Sequence, residues 1–272
     1  LNTFYRRYNF AVNGEYKIKD WLTTESRVNW TRANWRSESL LNGEANFWGR
    51  MLSAPPTLRS RSPITGDWIL GRDASDGNPL VNADKYLRRS QNDKFTLNQG
   101  LVVNLLPELT LRMKGILYYE EEYHESFNRD YRTGFLSTTN PDAGWNRQRS
   151  SSANFWRNIR QTYNAVLNYD KSFDRHNVNA LVGAEFFDAY NRSLGASGAL
   201  APTDDFMSLD LTTNTSDNPT RGTSSGHSND RIISQFGRVN YDFDDKYLVS
   251  FTARHDGISR LNRANRWGFF PA

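Results

Sequence analysis

The chain has 272 residues, with 34 Lys+Arg against 30 Asp+Glu and a formal net charge of +4. Its mean hydropathy is −0.75, and no run approaches the roughly 18 apolar residues of a membrane-spanning helix; this excludes a helical membrane protein but not a β-barrel, whose strands are only half apolar. Eight Trp, 13 Tyr and 16 Phe are too many for a disordered chain, the lack of Cys excludes a disulfide framework, a thiolate nucleophile and a zinc–cysteine site, and so small a charge is no footprint of nucleic-acid binding.

The chain starts at Leu1 rather than Met, and its first residues already carry a strand pattern. Tyr8, Phe10, Val12, Tyr16 and Ile18 share one parity, while Asn9, Asn13, Glu15 and Lys17 take the other. Side chains alternate across a strand, so this run has an apolar and a polar face. A short turn at Lys19-Asp20 precedes a return strand from Trp21 to about Trp35, with Leu22, Val28 and Trp30 on one side. A long polar stretch, 36–93, follows and is rich in turn formers such as Pro55-Pro56 and Asp76-Gly77-Asn78-Pro79.

The same unit then recurs. Phe95, Leu97, Leu101, Val103 and Leu105 lead to a turn at Pro107-Glu108, and Leu109, Leu111, Met113, Leu117 and Tyr119 run back. After a second long stretch, 127–154, the next apolar set is Ile159, Tyr163, Ala165, Leu167 and Tyr169. A connection over 172–175 leads to Val178, Ala180, Val182, Ala184 and Phe186, with Leu181 and Phe187 breaking the polar side. A third stretch, 188–230, is rich in Gly, Ser, Thr, Asn and Asp. Val239, Tyr241 and Phe243, a turn at Asp244-Asp245, and Tyr247, Val249, Phe251 and Ala253 form the last hairpin. A shorter loop, 256–265, leads to another strand-like run, Arg266 to Phe270.

The expected fold is all-β: about eight antiparallel strands in four hairpins, with short turns at one end and long loops at the other. Many strands reach roughly 10–15 residues, against the 5–6 usual in soluble sheets. Lipid outside and a wet lumen inside select such a split of faces, and short turns opposite long loops mark outer-membrane barrels. A soluble sandwich explains the alternation but neither the strand length nor the asymmetry of the connections. Three such long loops are unusual on an eight-stranded barrel, so the expectation is an internal piece of a larger one.

The closing segment carries more specific residues. It reads Arg238-Val239-Asn240-Tyr241-Asp242, then Asp245-Lys246-Tyr247-Leu248, Arg254-His255-Asp256-Gly257, Ser259-Arg260 and Arg266-Trp267-Gly268-Phe269-Phe270-Pro271. This resembles the barrel of the SusC/RagA class of TonB-dependent outer-membrane transporters. That class has an Arg-x-Asp-Gly-Ser-Ser-Arg-Phe loop and an Arg-Trp-Gly-x-Phe-Pro strand start; here Ile258 and Leu261 replace the first Ser and the Phe. Tyr8-Asn9-Phe10 leading to Asp20-Trp21-Leu22-Thr23, and Leu106-Pro107-Glu108-Leu109-Thr110, fit as well.

The resemblance implies a 22-stranded barrel with an N-terminal plug, of which residues 1–272 are a part of the barrel domain alone. It implies import of a glycan, oligosaccharide or peptide across the Gram-negative outer membrane, driven through TonB by way of the N-terminal part. Its implied partners are outer-membrane lipid and a SusD-like lid lipoprotein. A passive porin or surface adhesin, and a soluble β-rich carbohydrate-binding module, are the competing readings.

No residue pattern points to an enzyme or a cofactor. Glu120, Glu122 and His124 share a strand face, yet that face is the polar one, so a solvated rim accounts for them better than a metal. Asp73 and Asp76 lack the ligand order of a calcium loop. His176, His227 and His255 are isolated from any recognisable nucleophile. Asn191-Arg192-Ser193 and Asn214-Thr215-Ser216 match a glycosylation sequon, a common chance match. Trp35, Trp48, Trp68 and Trp145 are expected in the long loops, where flat indoles can grip a ligand or a lid. Trp30 is expected in a membrane-interface girdle.

Overall fold

The structure, a computed structural model, describes residues 3–36, 52, 56–57, 59–66, 86–132, 145–146, 148–213 and 220–272. Its strands are β1 (Phe4–Lys19), β2 (Leu22–Arg36), β3 (Tyr86–Leu106), β4 (Leu109–Asn128), β5 (Tyr131–Arg132), β6 (Trp145–Asn146), β7 (Ser150–Phe173), β8 (His176–Gly198), β9 (Gly222–Phe243), β10 (Tyr247–Ile258) and β11 (Trp267–Pro271). Nine of them form one sheet in the order β1-β2-β3-β4-β7-β8-β9-β10-β11, antiparallel at every pairing. The four expected hairpins are all present, and β11 is the ninth strand. The sheet does not close on itself; β1 and β11 are its edges among the described residues.

Register joins the apolar sets of separate hairpins into one surface. Val28 pairs with Val12 on one side and Leu97 on the other, and Leu97 with Leu117. Leu167 pairs with Leu111 and Val182, and Val239 with Ala180 and Phe251. Strand pairing puts directly opposed residues on the same side, so every apolar set lies on one face and the polar sets lie on the other. The apolar face stays exposed: Val12, Val182, Val239 and Phe251 are all uncovered. A chain that buried its apolar face in a sandwich core would show the reverse, and among the described residues the buried hydrophobic ones are few: Ala33, Phe127, Ala189 and Ala201.

The short turns follow from local chemistry. Asp174, Asp244 and Asp245 adopt positive φ (52°, 57° and 55°), a region that the short polar side chain of Asp tolerates. Pro107-Glu108 links β3 to β4 as the sequence suggests. The other turns shift slightly: Asp20-Trp21 closes β1–β2, which takes Trp21 out of the strand, and Asp174-Arg175 closes β7–β8.

The long connections are where sequence and structure part. The stretch expected over 188–230 contains nearly half of β8, up to Gly198, and β9 from Gly222. Likewise β3 begins at Tyr86, β7 at Ser150, and β10 reaches Ile258. In these extensions each face mixes polar and apolar residues, so no alternation marks them, yet the main-chain ladder continues to Gly198↔Ser151 and Ser197↔Gly222. Alternation reports unequal surroundings of two faces; hydrogen-bonded pairing needs no such inequality. Beyond β8, residues 199–213 fold back on the wall. Arg149 holds Asp130 at 3.2 Å and Asp204 at 2.8 Å, and Phe127, fully buried, packs at the same end.

Candidate functional site

Hollows of about 1030 Å³ and 280 Å³ toward the turn end, and one of about 250 Å³ toward the loop end, lie on the polar face. The largest spans β1 to β7 and is lined by opposite charges, Glu15, Glu25, Arg27, Arg112 and Lys114 among them. That mixture suits water or a polar partner surface rather than an apolar ligand.

The smaller loop-end hollow has a different lining. Glu122, His124, Asn154, Trp156, Ser193 and Ser224 border it, and they come from four neighbouring strands whose register aligns them: His124↔Asn154↔Gly195↔Ser224 and Glu122↔Trp156↔Ser193. His124 is fixed from both ring nitrogens, with Nε2 at 2.7 Å from Glu122 Oε1 and Nδ1 at 2.8 Å from Ser90 Oγ. Trp35 stands edge-on to the His124 ring at 5.8 Å, and Tyr5 lies 6.4 Å from the Trp35 ring. Below them Asn92, 6% exposed, donates to Glu120 Oε1 at 3.1 Å. Glu120 also accepts from Tyr118 at 2.7 Å and pairs with Lys94 at 2.8 Å. Asn158, 2% exposed, donates to Asn191 at 2.6 Å. These bonds hold the imidazole, the carboxylates and the amides in place, and Trp35 beside His124 and Trp156 across the ladder from Glu122 add two indoles to the shelf. It can stack on a flat apolar ligand face and exchange hydrogen bonds at its edges. Glu120 turns to Lys94 rather than toward His124 and Glu122, and no group of three metal-binding side chains converges among the described residues.

Of the four tryptophans expected to bind, Trp35 is in β2 rather than in a loop. It is paired with Tyr5 and Ser90 on the polar face, because the ladder outlasts the alternation. Trp145 lies in the small β5–β6 ribbon, opposite Arg132. Trp48, Trp68, Asp73 and Asp76 lie outside the described residues. Trp156 was not singled out from the sequence, and a signal for it existed: it is the lone indole among Asn154, Asn158 and Arg160 on the polar parity of β7. Trp30 sits on the apolar face between Phe10 and Phe95, as a girdle residue would.

The closing motif is structural. Arg254 and Asp256 face the polar side, where Arg254 bonds Asp256 at 2.8 Å and Ser234 at 2.9 Å. His255 and Gly257 face the apolar side, and the Trp267 indole stacks on His255 at 4.8 Å. A Cβ on Gly257 would come within 2.6 Å of that indole, which is why Gly and Trp are needed together.

No family model matches the chain. TonB-dependent receptor P26 of Formosa agariphila is 25% identical over 276 residues, covering 98% of this chain and 26% of the relative. TonB-dependent receptor SusC of Bacteroides thetaiotaomicron is 51% identical over 41 residues, which are 15% of this chain and 4% of that protein. The solved structure of the RagAB peptide transporter matches with a TM-score of 0.77 at 21% identity, over 99% of this chain and 30% of that one. The chain thus spans about a quarter of the length of P26.

Proposed function

From the premise that this chain is a relative of the SusC-type TonB-dependent receptors, we propose that it is barrel wall of a nutrient importer in the Gram-negative outer membrane. One observation carries the reading: register unites the apolar sets of nine strands into a single uncovered face while the opposite face is polar and hollowed. Lipid on one side and a wet lumen on the other is the environment that such a wall fits. The short turns then face the periplasm and the long connections the outside.

In this reading residues 1–272 belong to one barrel domain. A plug elsewhere in the same polypeptide packs against the charged hollow at the turn end, and TonB acts through that part. The shelf of Trp35, His124, Glu122 and Trp156 meets the incoming ligand, an oligosaccharide or peptide, and a SusD-like lipoprotein covers the outer end with help from Trp48, Trp68 and Trp145. The protein moves its ligand without transforming it, and uses no cofactor.

The test uses the full reading frame that contains this chain. The protein should fractionate with the outer membrane, show heat-modifiable mobility, and support growth on its nutrient only when TonB is present. Trp35→Ala with Trp156→Ala should leave mobility unchanged and weaken ligand binding about tenfold or more, as loss of aromatic anchors does. TonB-independent uptake would favour a porin, and a soluble fraction would favour a carbohydrate-binding module.

A further inference from the structure

The apolar face ends in charge, and the charge is unevenly matched. Gln161, Asp188 and Arg231 stand twelve residues from the hairpin ends Phe173, His176 and Phe243. At about 3.3 Å per residue and a tilt near 40°, that is about 30 Å along the barrel axis, the thickness of the hydrocarbon core. Arg157, Arg192 and His227 stand sixteen residues from the same ends, about 40 Å up, within the headgroup layer.

At this height one cross-strand row on the outward face reads Arg32, Asp93, Glu121, Arg157, Arg192, His227. The first four offset one another: Arg32 bonds Asp93 at 2.6 Å, and Arg157 bonds Glu121 at 2.8 Å. Arg157 is held flat as well, its guanidinium 5.2 Å from the Phe155 ring centre. Arg192 has no such partner. It is exposed and makes no side-chain hydrogen bond or ion pair among the described residues. Its neighbours on that face are Arg157 and His227 across the ladder, and Phe155, Ser225, Ile159 and Asn229 on the diagonals. The nearest acid along the strand, Asp188, is taken by Arg231 at 3.3 Å. Arg192 thus stands directly opposite a second guanidinium, a like-charge pairing that destabilises a sheet and that an anion lying across the two would relieve.

We propose that Arg157, Arg192 and His227 form a site for a phosphate of the outer-leaflet glycolipid, lipopolysaccharide. Arg192 supplies the free guanidinium, whose planar fork fits two phosphate oxygens. Arg157 adds a second, pre-oriented by Glu121 and Phe155, and His227 borders the far side. Tyr190 and Leu194, below and above Arg192 on the same face, flank the saccharide to which the phosphate is attached. The site rests on the outer-membrane reading but is separable from it.

The experiment uses the full-length receptor, delipidated in detergent and titrated with purified lipid A. Wild type should bind lipid A, and Arg192→Gln with His227→Gln should weaken binding at least tenfold with heat-modifiable mobility unchanged. Arg192→Lys should recover part of the loss, since it restores charge without the fork. Arg32→Gln, in the offset part of the row, should bind as wild type does. Dephosphorylated lipid A should bind wild type no better than it binds the double variant. Equal lipid A binding by wild type and double variant would overturn the site. So would free inorganic phosphate binding as tightly as lipid A, or variants that lose a lid lipoprotein and keep lipid A. A receptor absent from the outer-membrane fraction would instead overturn the function proposed above.

Discussion

The lower and upper halves of the β7–β9 wall are one continuous ladder with two different logics. In the lower half, Val178, Ala180, Val182, Ala184 and Phe186 lie on one side of β8, and Asn177, Asn179 and Glu185 on the other. In the upper half of the same strand the outward series becomes Asp188, Tyr190, Arg192 and Leu194, and the inward series Asn191, Ser193 and Gly195. The backbone pairing is the same in both, from Phe173↔His176 to Ser151↔Gly198. On the outer-membrane reading proposed above, what changes is the solvent: side-chain alternation is written by the contrast between lipid and water and stops where that contrast stops, while the hydrogen bonds continue.

The sharpest way to break that comparison is a charge placed at two heights on one face. Val182 and Leu194 are both on the outward side of β8 and almost equally uncovered, at 59% and 56%. Val182 lies six residues from the hairpin end and Leu194 eighteen. In the full-length receptor, Val182→Arg should cost about 2–4 kcal/mol and Leu194→Arg about 0–1 kcal/mol. Tyr241 is only two residues from Phe243, which on the outer-membrane reading puts it near the membrane interface at the turn end, so Tyr241→Arg should cost about 0–1 kcal/mol as well. Unfolding titrations in lipid check all three. Equal costs for Val182 and Leu194 would mean that lipid does not divide the wall where its charges begin.

A second contrast uses the inward face of the same strand. A Cβ on Gly183 would meet the Phe236 ring at 2.5 Å and the Ala165 carbonyl oxygen at 3.2 Å. A Cβ on Gly195 would meet the Ser224 hydroxyl at 2.7 Å and Asn154 Oδ1 at 2.8 Å. At Gly183 a whole ring must swing aside and a main-chain oxygen also stands close, while at Gly195 a hydroxyl and an amide in a wet hollow can turn away. Gly183→Ala should therefore cost about 1–3 kcal/mol, and Gly195→Ala less than about 0.5 kcal/mol. Thermal unfolding of the two variants reads the difference, and a larger loss at Gly195 would show that the loop-end hollow is the more rigid of the two.

The same division explains what could be read from the sequence. All four hairpins and their apolar faces were legible because Phe95, Leu97, Val239, Tyr241 and their kin sit where the faces differ. The strand ends were not: Asn191 to Gly198 and Gly222 to Asn229 have the Ser, Gly and Asn content of a loop, and only a partner strand makes them sheet. Trp35 was misplaced for that reason. Its role beside His124 depends on a pairing through Ser90, 55 residues further along the chain, which no local pattern encodes. Trp156 was legible as a break in a polar run, but its meaning depends on Glu122 and Ser193 arriving from adjacent strands. Arg192, unpartnered among the described residues, is further from reach, since such a cation can be recognised only once its neighbours across the ladder have been assigned.

The smallest predicted effect lies at the turn end, where the side chains are solvent-exposed. Glu108, in the turn between β3 and β4, is 3.2 Å from Lys171. The bond from that ammonium, reinforced by its charge, holds the Glu108 carboxyl below its ordinary value. A carboxyl depressed on folding adds stability above its unfolded value, and the contribution disappears as pH falls through the folded one. At neutral pH the wild-type receptor should therefore be slightly more stable than Glu108→Gln, and the gap should close between about pH 5 and pH 3. The pair is solvent-exposed at both ends, so the gap is small and shrinks further in high salt, where exposed charges are screened. Unfolding midpoints of the two proteins at neutral and acid pH, each at low and high salt, measure it. A gap that persisted in acid would assign the effect of Glu108 to the geometry of the Pro107-Glu108 turn and not to its charge.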